Sequence, residues 1–496
     1  MLDYDVIVIG AGNGGLSAAA TLAQRGLNVL ILERHNIPGG SATTFCRGRF
    51  EFEVALHQLS GMGTAEQPGP LRSLLGKLGV LEDLSFVEMS DLYRVFIPGK
   101  LDVTLPADRA GVIATLQSQF PHEKEAIQKF FDLIYSYVME LYTYFKKPDP
   151  VSEKFPVLHR YAFRNTKEVL DQFFTNPLLK AVLGSYWAFI GLTPDRLPFS
   201  YLAICFFSYI EMKPCHIKGG SQSLSSAILN RFLSSGGSVR FNCGAKKIMV
   251  EKGSVTGVVT EQGEEITSKF VVSNASKIST FVELLDPEHV PEEIFVDMSG
   301  RTQSPSGLSV YIGLDCEPGE LGIDASTTFI LPDEDISGKH FNQMKTLDME
   351  NGLVAFSCYD VADPEFSPPG TCQVALVTLK YAEPWLRIPP TQYAREKYRC
   401  AEAMILQMEK LCPDVRAHME EVEVATPLTF MRYLGTPGGS IYGFEQYMKD
   451  SLFFEAPRVS PIKGLFLAGG WVTDCGFEPT LKSGTSAAGA ILRQMK

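Results

Sequence analysis

The chain has 496 residues, 45% hydrophobic and 21% charged, with a net charge of −12. That balance is the composition of a globular protein too long for one simple core, so two intertwined domains are expected. An acidic chain with no basic run excludes a nucleic-acid partner. Ten scattered cysteines without CxxC or metal-ligand spacing argue for reduced thiols in a reducing compartment, and against a disulfide framework or a metal site.

The first predicted element is a strand. Asp5 to Ile9 (DVIVI) is apolar and β-branched, as in a parallel sheet buried on both faces. It is too short for a signal peptide and lacks a basic flank. GAGNGG follows. Gly10 allows the tight turn, Gly12 removes the side chain that would keep a pyrophosphate off the backbone, and Gly15 lets the next helix pack closely. Asn13 and Gly14 complete the loop. Leu16 to Arg25 reads as a helix ending at Gly26, and Val29 to Leu32 as a second strand. That strand delivers Glu33 about 20 residues past the glycines, where dinucleotide folds place an acid against ribose hydroxyls. Arg34 and a second glycine turn (Gly39, Gly40, Ser41) come next. NAD and FAD would fit this unit equally well.

Further along, Lys129 to Lys147 is aromatic-rich, with Phe130, Ile134, Val138, Leu141 and Phe145 at helical spacing. It is either a helix packed on the core or a face that lines a lipid tunnel or meets a membrane surface. Leu197 to Ile210 is too short to span a bilayer and begins with proline, so no transmembrane helix is expected. A helix over Ser223 to Leu233 precedes a meander with turns at Lys252-Gly253 and Gln262-Gly263. Leu308 to Asp315 alternates like a strand with one buried face. Near the C-terminus lie a strand (Leu465 to Ala468), the pair Gly469-Gly470, a turn at Gly476 and a small-residue helix starting near Pro479 and Thr480. The positive end of that helix would favour negative charge on a reduced flavin ring.

Together, the glycine loop, Glu33-Arg34, Gly39-Gly40 and the AGG…SG…AAG segment resemble the flavin-dependent superfamily of amine oxidases, phytoene desaturases, carotenoid isomerases and retinol saturases. VVSNAS (271–276) and TPLTFMRYLGTPGGSIYGFEQ (426–446) are similar to the desaturase, isomerase and saturase branch. FEFEVALHQLSGM, IGLTPDRLPFS and IKGGSQSLSSAI are most similar to the retinol saturase group. The resemblance implies an α/β fold, with a discontinuous Rossmann-type FAD-binding domain (1–95, 212–290, 422–496) and an inserted α+β substrate domain (96–211, 291–421). It also implies FAD as cofactor, with backbone contact to the adenine near Ala245, and NAD(P)H as a candidate external reductant.

The activity implied is an oxidoreductase acting on a carbon–carbon double bond of a long isoprenoid or polyene. Saturation leads over desaturation and redox-neutral isomerisation; an amine oxidase and a non-catalytic flavin or lipid carrier are the other readings. The partner is a hydrophobic small molecule. The expected location is cytoplasmic with peripheral membrane contact, and the oligomeric state is open. His57, where the saturase-like pattern has a histidine, is the first candidate for proton transfer, against a structural histidine. Glu478 is the second, as a proton donor or a helix cap. Tyr442 is a third polar group that either faces the cavity or packs. Trp471 either closes over the flavin or fills the core, with no second aromatic residue evident beside it to form an amine cage. Asp474 is a candidate for the acid that many flavoproteins place after the C-terminal glycine.

Overall fold

The structure, a computed structural model, describes residues 2–147, 152–350, 352–450, 460–472 and 476–495. Two seven-stranded sheets organise the described residues. The first has a parallel centre, ordered Leu465–Leu467, Glu265–Ser273, Tyr4–Ile9, Val29–Leu32, Ser238–Arg240. Parallel strands need both faces covered, and these do have them covered. On one face lie the glycine-loop helix (Asn13–Ala23), the helix Gly220–Ser234 and the C-terminal helix (Phe477–Gln494). On the other lies the antiparallel meander Ala245–Glu251, Ser254–Thr260 and the first half of Glu265–Ser273. This is a Rossmann-type nucleotide domain.

The second sheet is mostly antiparallel, ordered Met419–Ala425, Ser306–Leu314, Cys372–Lys380, Val354–Cys358, Thr327–Ile330, Asp91–Ile97, Leu101–Pro106. Its one parallel pair joins Thr327–Ile330 to Asp91–Ile97. The helix Pro390–Met408 packs on one side, through Cys400, Met404 and Met408. It covers Leu308, Val310, Ile312 and Leu314, while Phe50, Phe52 and Phe430 cover the other face, so Ser306–Leu314 is buried at all nine positions, not on one face as its alternation suggests. The helices Lys124–Lys146 and Phe199–Glu211 build an aromatic core around Phe130, Tyr137, Phe199 and Phe206. In the former, Phe130, Ile134, Val138 and Leu141 are buried as their spacing predicts, whereas Phe145 is exposed.

Candidate functional site

A cavity of ≈ 480 Å³ is lined by residues of both sheets. Its first end is built from loops that leave the C-terminal edges of the parallel strands, where α/β sheets bind ligands. Gly10, Gly12 and Asn13 line it with Glu33, Arg34, Gly39, Gly40 and Ser41. Ala245 joins them from the meander, and Gly469, Gly470, Gly476 and Thr480 from the C-terminal segment. Residues up to 470 positions apart in sequence thus converge on one wall.

The glycine-loop helix begins at Asn13 with no side-chain cap at Gly12 and no acid in its first turn. Its first N–H groups are open to an anion. A Cβ on Gly12 would lie 2.8 Å from Nδ2 of Asn274, which fills the space behind the loop. Glu33 Oε2 accepts from Ala11 N at 2.6 Å and Oε1 from His35 N at 2.8 Å, so the acid also braces the loop it follows. The buried Oδ1 of Asn13 has no protein partner, and a cofactor hydroxyl would satisfy it. An open helix start, a side-chain-free cradle, a ribose-height acid and an orphaned amide together fit a flavin adenine dinucleotide.

Some expected contacts lie elsewhere. Gly14 is not on the cavity wall: its Cβ would meet Gly469 N at 2.6 Å, so the position serves loop packing. At Gly15 a Cβ would run into the carbonyl oxygen of Gly10, as close helix–strand packing requires. Arg34 is engaged in capping, since Nη2 donates to the carbonyls of Arg432 and Tyr433 at 3.0 Å, at the end of the helix Pro427–Leu434. The C-terminal helix starts at Phe477, two residues before Pro479, which sits behind the wall. Glu478 is also off the wall. Burial raises its carboxyl pKa, and burial, with the Glu478 charge second, raises the Tyr142 hydroxyl on the aromatic insert. The place of Glu478 in the first turn is one where an acid complements the helix dipole. Asp474 lies outside the described residues.

The other end of the cavity differs in chemistry. Val54, Ala55, Phe189, Leu353, Val377 and Ile441 line it with His57, Trp187 and Tyr442. Among the described residues, every charged side chain on the wall (Glu33, Arg34, Glu261, Glu283) lies on a segment that follows a strand of the nucleotide sheet, and none lines this apolar end. Trp471 lines the cavity and meets Phe444 edge-on at 5.0 Å, so an aromatic partner does exist, although Phe444 itself stays in the core.

His57 is held by two neighbours, Phe189 and Tyr359. Its ring lies between Phe189 (5.8 Å, 17°) and Tyr359 (6.4 Å, 12°), and Nδ1 pairs with the Tyr359 hydroxyl at 3.1 Å. Burial lowers its pKa to about 4, so the imidazole is neutral at physiological pH, where the sequence suggested titration. The backbone just before His57 is fixed by Glu53, which sequence reading missed. This fully buried carboxylate accepts from Ala55 N and Leu56 N (3.0 and 2.9 Å) and from Ser221 N and Oγ (2.7 and 2.8 Å). Burial raises its pKa against those four bonds. Asn274 was missed as well. Its signal was a polar residue ending a long apolar strand, as Glu53's was an acid at an inward strand position.

The flavin containing amine oxidoreductase family model matches residues 14–492. The chain belongs to that family. It is 26% identical to the prolycopene isomerase of Daucus carota (94% of this chain, 76% of that protein) and 26% identical to the all-trans-retinol 13,14-reductase of Danio rerio (99% and 86%). A solved oxidoreductase from Methanosarcina mazei shares the fold over 99% of both chains, with a TM-score of 0.66 at 16% identity. The family is one of flavoprotein oxidoreductases, and the nucleotide end of the cavity is where this member's residues fit the flavin cofactor. Among the described residues, no helix is long and apolar enough to cross a membrane.

Proposed function

We propose that this protein is an FAD-dependent oxidoreductase that saturates a carbon–carbon double bond in a long, neutral isoprenoid or polyene. The observation that carries the reading is the cavity's division into a charged nucleotide end and an apolar end without a charged side chain. A neutral chain loses nothing by desolvation there. An ammonium group would be buried without a carboxylate partner, which argues against an amine substrate. Relatives named for a carotenoid isomerase and a retinol reductase support the same substrate class.

When bound, FAD supplies hydride and single-electron chemistry. The chain's own residues do the rest. The glycine-loop N–H groups hold the pyrophosphate and Glu33 the ribose. Val54, Phe189, Leu353 and Ile441 exclude water and align the chain by shape. His57 lines the apolar end beside Trp187, and its imidazole is the group there that handles the proton.

A redox-neutral isomerisation is the second reading, favoured by the neutral His57 and the lack of any carboxyl at the apolar end. Anaerobic incubation of the reduced protein with candidate polyenes tests both. A product heavier by two hydrogens, with reoxidation of the flavin, is expected. Unchanged mass with altered geometry would establish isomerisation, a loss of two hydrogens dehydrogenation, and a flavin that never reoxidises a carrier.

A further inference from the structure

We infer that Tyr359 fixes the tautomer of His57, so that the Nε2–H, and not a ring lone pair, faces the cavity. Tyr359 is a positioning residue on the short turn that follows the strand Val354–Cys358, in the substrate domain. It is buried, packed against Phe366 (5.0 Å) and His216 (5.8 Å), and its hydroxyl meets Nδ1 of His57 at 3.1 Å.

The assignment follows from counting protons. A phenol has one proton to donate, and a neutral imidazole has one N–H and one lone pair. Among the described residues, neither the Tyr359 hydroxyl nor either His57 nitrogen has another hydrogen-bond partner. If Nδ1 carried the proton and donated to the phenol oxygen, the O–H of Tyr359 would be left buried with nothing to receive it. A desolvated donor left without an acceptor is costly, so that arrangement is the disfavoured one. With Tyr359 donating to Nδ1, both buried groups are satisfied and the ring proton falls on Nε2, toward the cavity. Tyr359 keeps its proton throughout, because burial and the neighbouring Glu53 carboxylate push its pKa well above the phenol range.

The consequence is directional. Nε2 has no lone pair to accept a proton from substrate, so this wall offers no base for dehydrogenation. It offers the cavity a ring N–H donor instead. Saturation requires a proton to be delivered toward one carbon of the double bond, which is the sense in which a donor acts. The directional conclusion rests on the proposed reading of the cavity, whereas the tautomer does not.

Nitrogen NMR of 15N-histidine-labelled, flavin-loaded protein without substrate reads the tautomer directly, with the His57 signals identified by their loss in His57→Gln. A protonated Nε2 with an unprotonated Nδ1 is expected at neutral pH. The reverse pattern would overturn the inference, whatever product the enzyme makes. In Tyr359→Phe, with flavin content and melting temperature near those of the parent, both tautomers should become populated. A Tyr359→Phe protein that keeps the single Nε2–H form would remove Tyr359 from the assignment. If that variant does not fold, the spectrum of the unaltered protein still decides.

Discussion

At Glu33, one carboxylate serves two structures: it braces the backbone at Ala11 and His35, and its place on the cavity wall suits a ribose. Glu33→Ala should therefore weaken FAD binding by about 1–3 kcal/mol, the range for a charge-assisted hydrogen bond, when flavin is titrated into the apoprotein. An unchanged affinity would remove the ribose contact. His57→Gln keeps much of the size and an N–H donor but cannot pass a proton on. Flavin content should hold while saturation slows by roughly 10²–10⁴-fold; an unslowed rate with a product of unchanged mass would move the enzyme to isomerisation. The buried histidines also predict an acid limb of stability. His57 and His216 both have pKa values lowered to about 4 by burial, against an ordinary 6.5. Between those values the unfolded chain binds protons that the fold refuses, so this stability is present above about pH 6.5 and lost as pH falls toward 4. Asp360, raised to about 6 by burial, acts in the opposite sense over part of that range. The measurement is thus a difference: His216→Asn should show a smaller fall in Tm than the parent across it. Glu33 and the glycines were legible because the dinucleotide turn fixes residue types at fixed spacing. Tyr359 was not, because it meets His57 across 302 positions and nothing local marks it.

Among the elements, the contact between the glycine-loop helix and the C-terminal helix ties the two ends of the chain together. Gly484 makes it possible: a Cβ there would run into the Gly14 carbonyl and lie 2.9 Å from Ala18 N. Ser17 Oγ reaches across to the carbonyl of Leu481 at 2.8 Å. Gly484→Ala should therefore push the helices apart, costing roughly 1–3 kcal/mol of stability. Because Gly14 packs on Gly469, flavin affinity should fall with it; a parent-like Tm and flavin affinity would show that the two helices can separate freely. The strands of the nucleotide sheet were legible to within a residue at Tyr4–Ile9, Val29–Leu32 and Leu465–Leu467, where short apolar runs stop at or just before a glycine or a charged residue. Ser306–Leu314 was legible as a strand but not as one buried on both faces, since its Ser and Gly positions look like a solvent face until Phe50, Phe52 and Phe430 cover them from distant segments. The C-terminal helix was placed two residues late because proline was read as its first residue, while Gly476 at φ +109° sets the actual start.

Across the whole molecule, the net charge of −12 contrasts with a cavity whose charged side chains gather at one end. A substrate suited to the other end would be nearly insoluble, so it must arrive from a lipid phase. The helix Lys124–Lys146 offers an apolar surface for that transfer: Tyr135 and Met139, one turn apart, are 39% and 43% exposed. Large apolar side chains at the surface are stabilised by insertion among lipid headgroups, and an acidic protein gains nothing there from anionic lipid. The prediction is that the protein floats with neutral phosphatidylcholine vesicles and that turnover rises when substrate is presented in them. Binding should weaken little between low and physiological salt, because apolar contact is not screened. Tyr135→Ser with Met139→Glu should abolish flotation while leaving flavin content unchanged, as neither residue reaches the cavity wall. Flotation that requires anionic lipid and disappears with salt would instead reveal a basic contact surface, and flotation unaffected by the double substitution would place the membrane contact elsewhere on the chain.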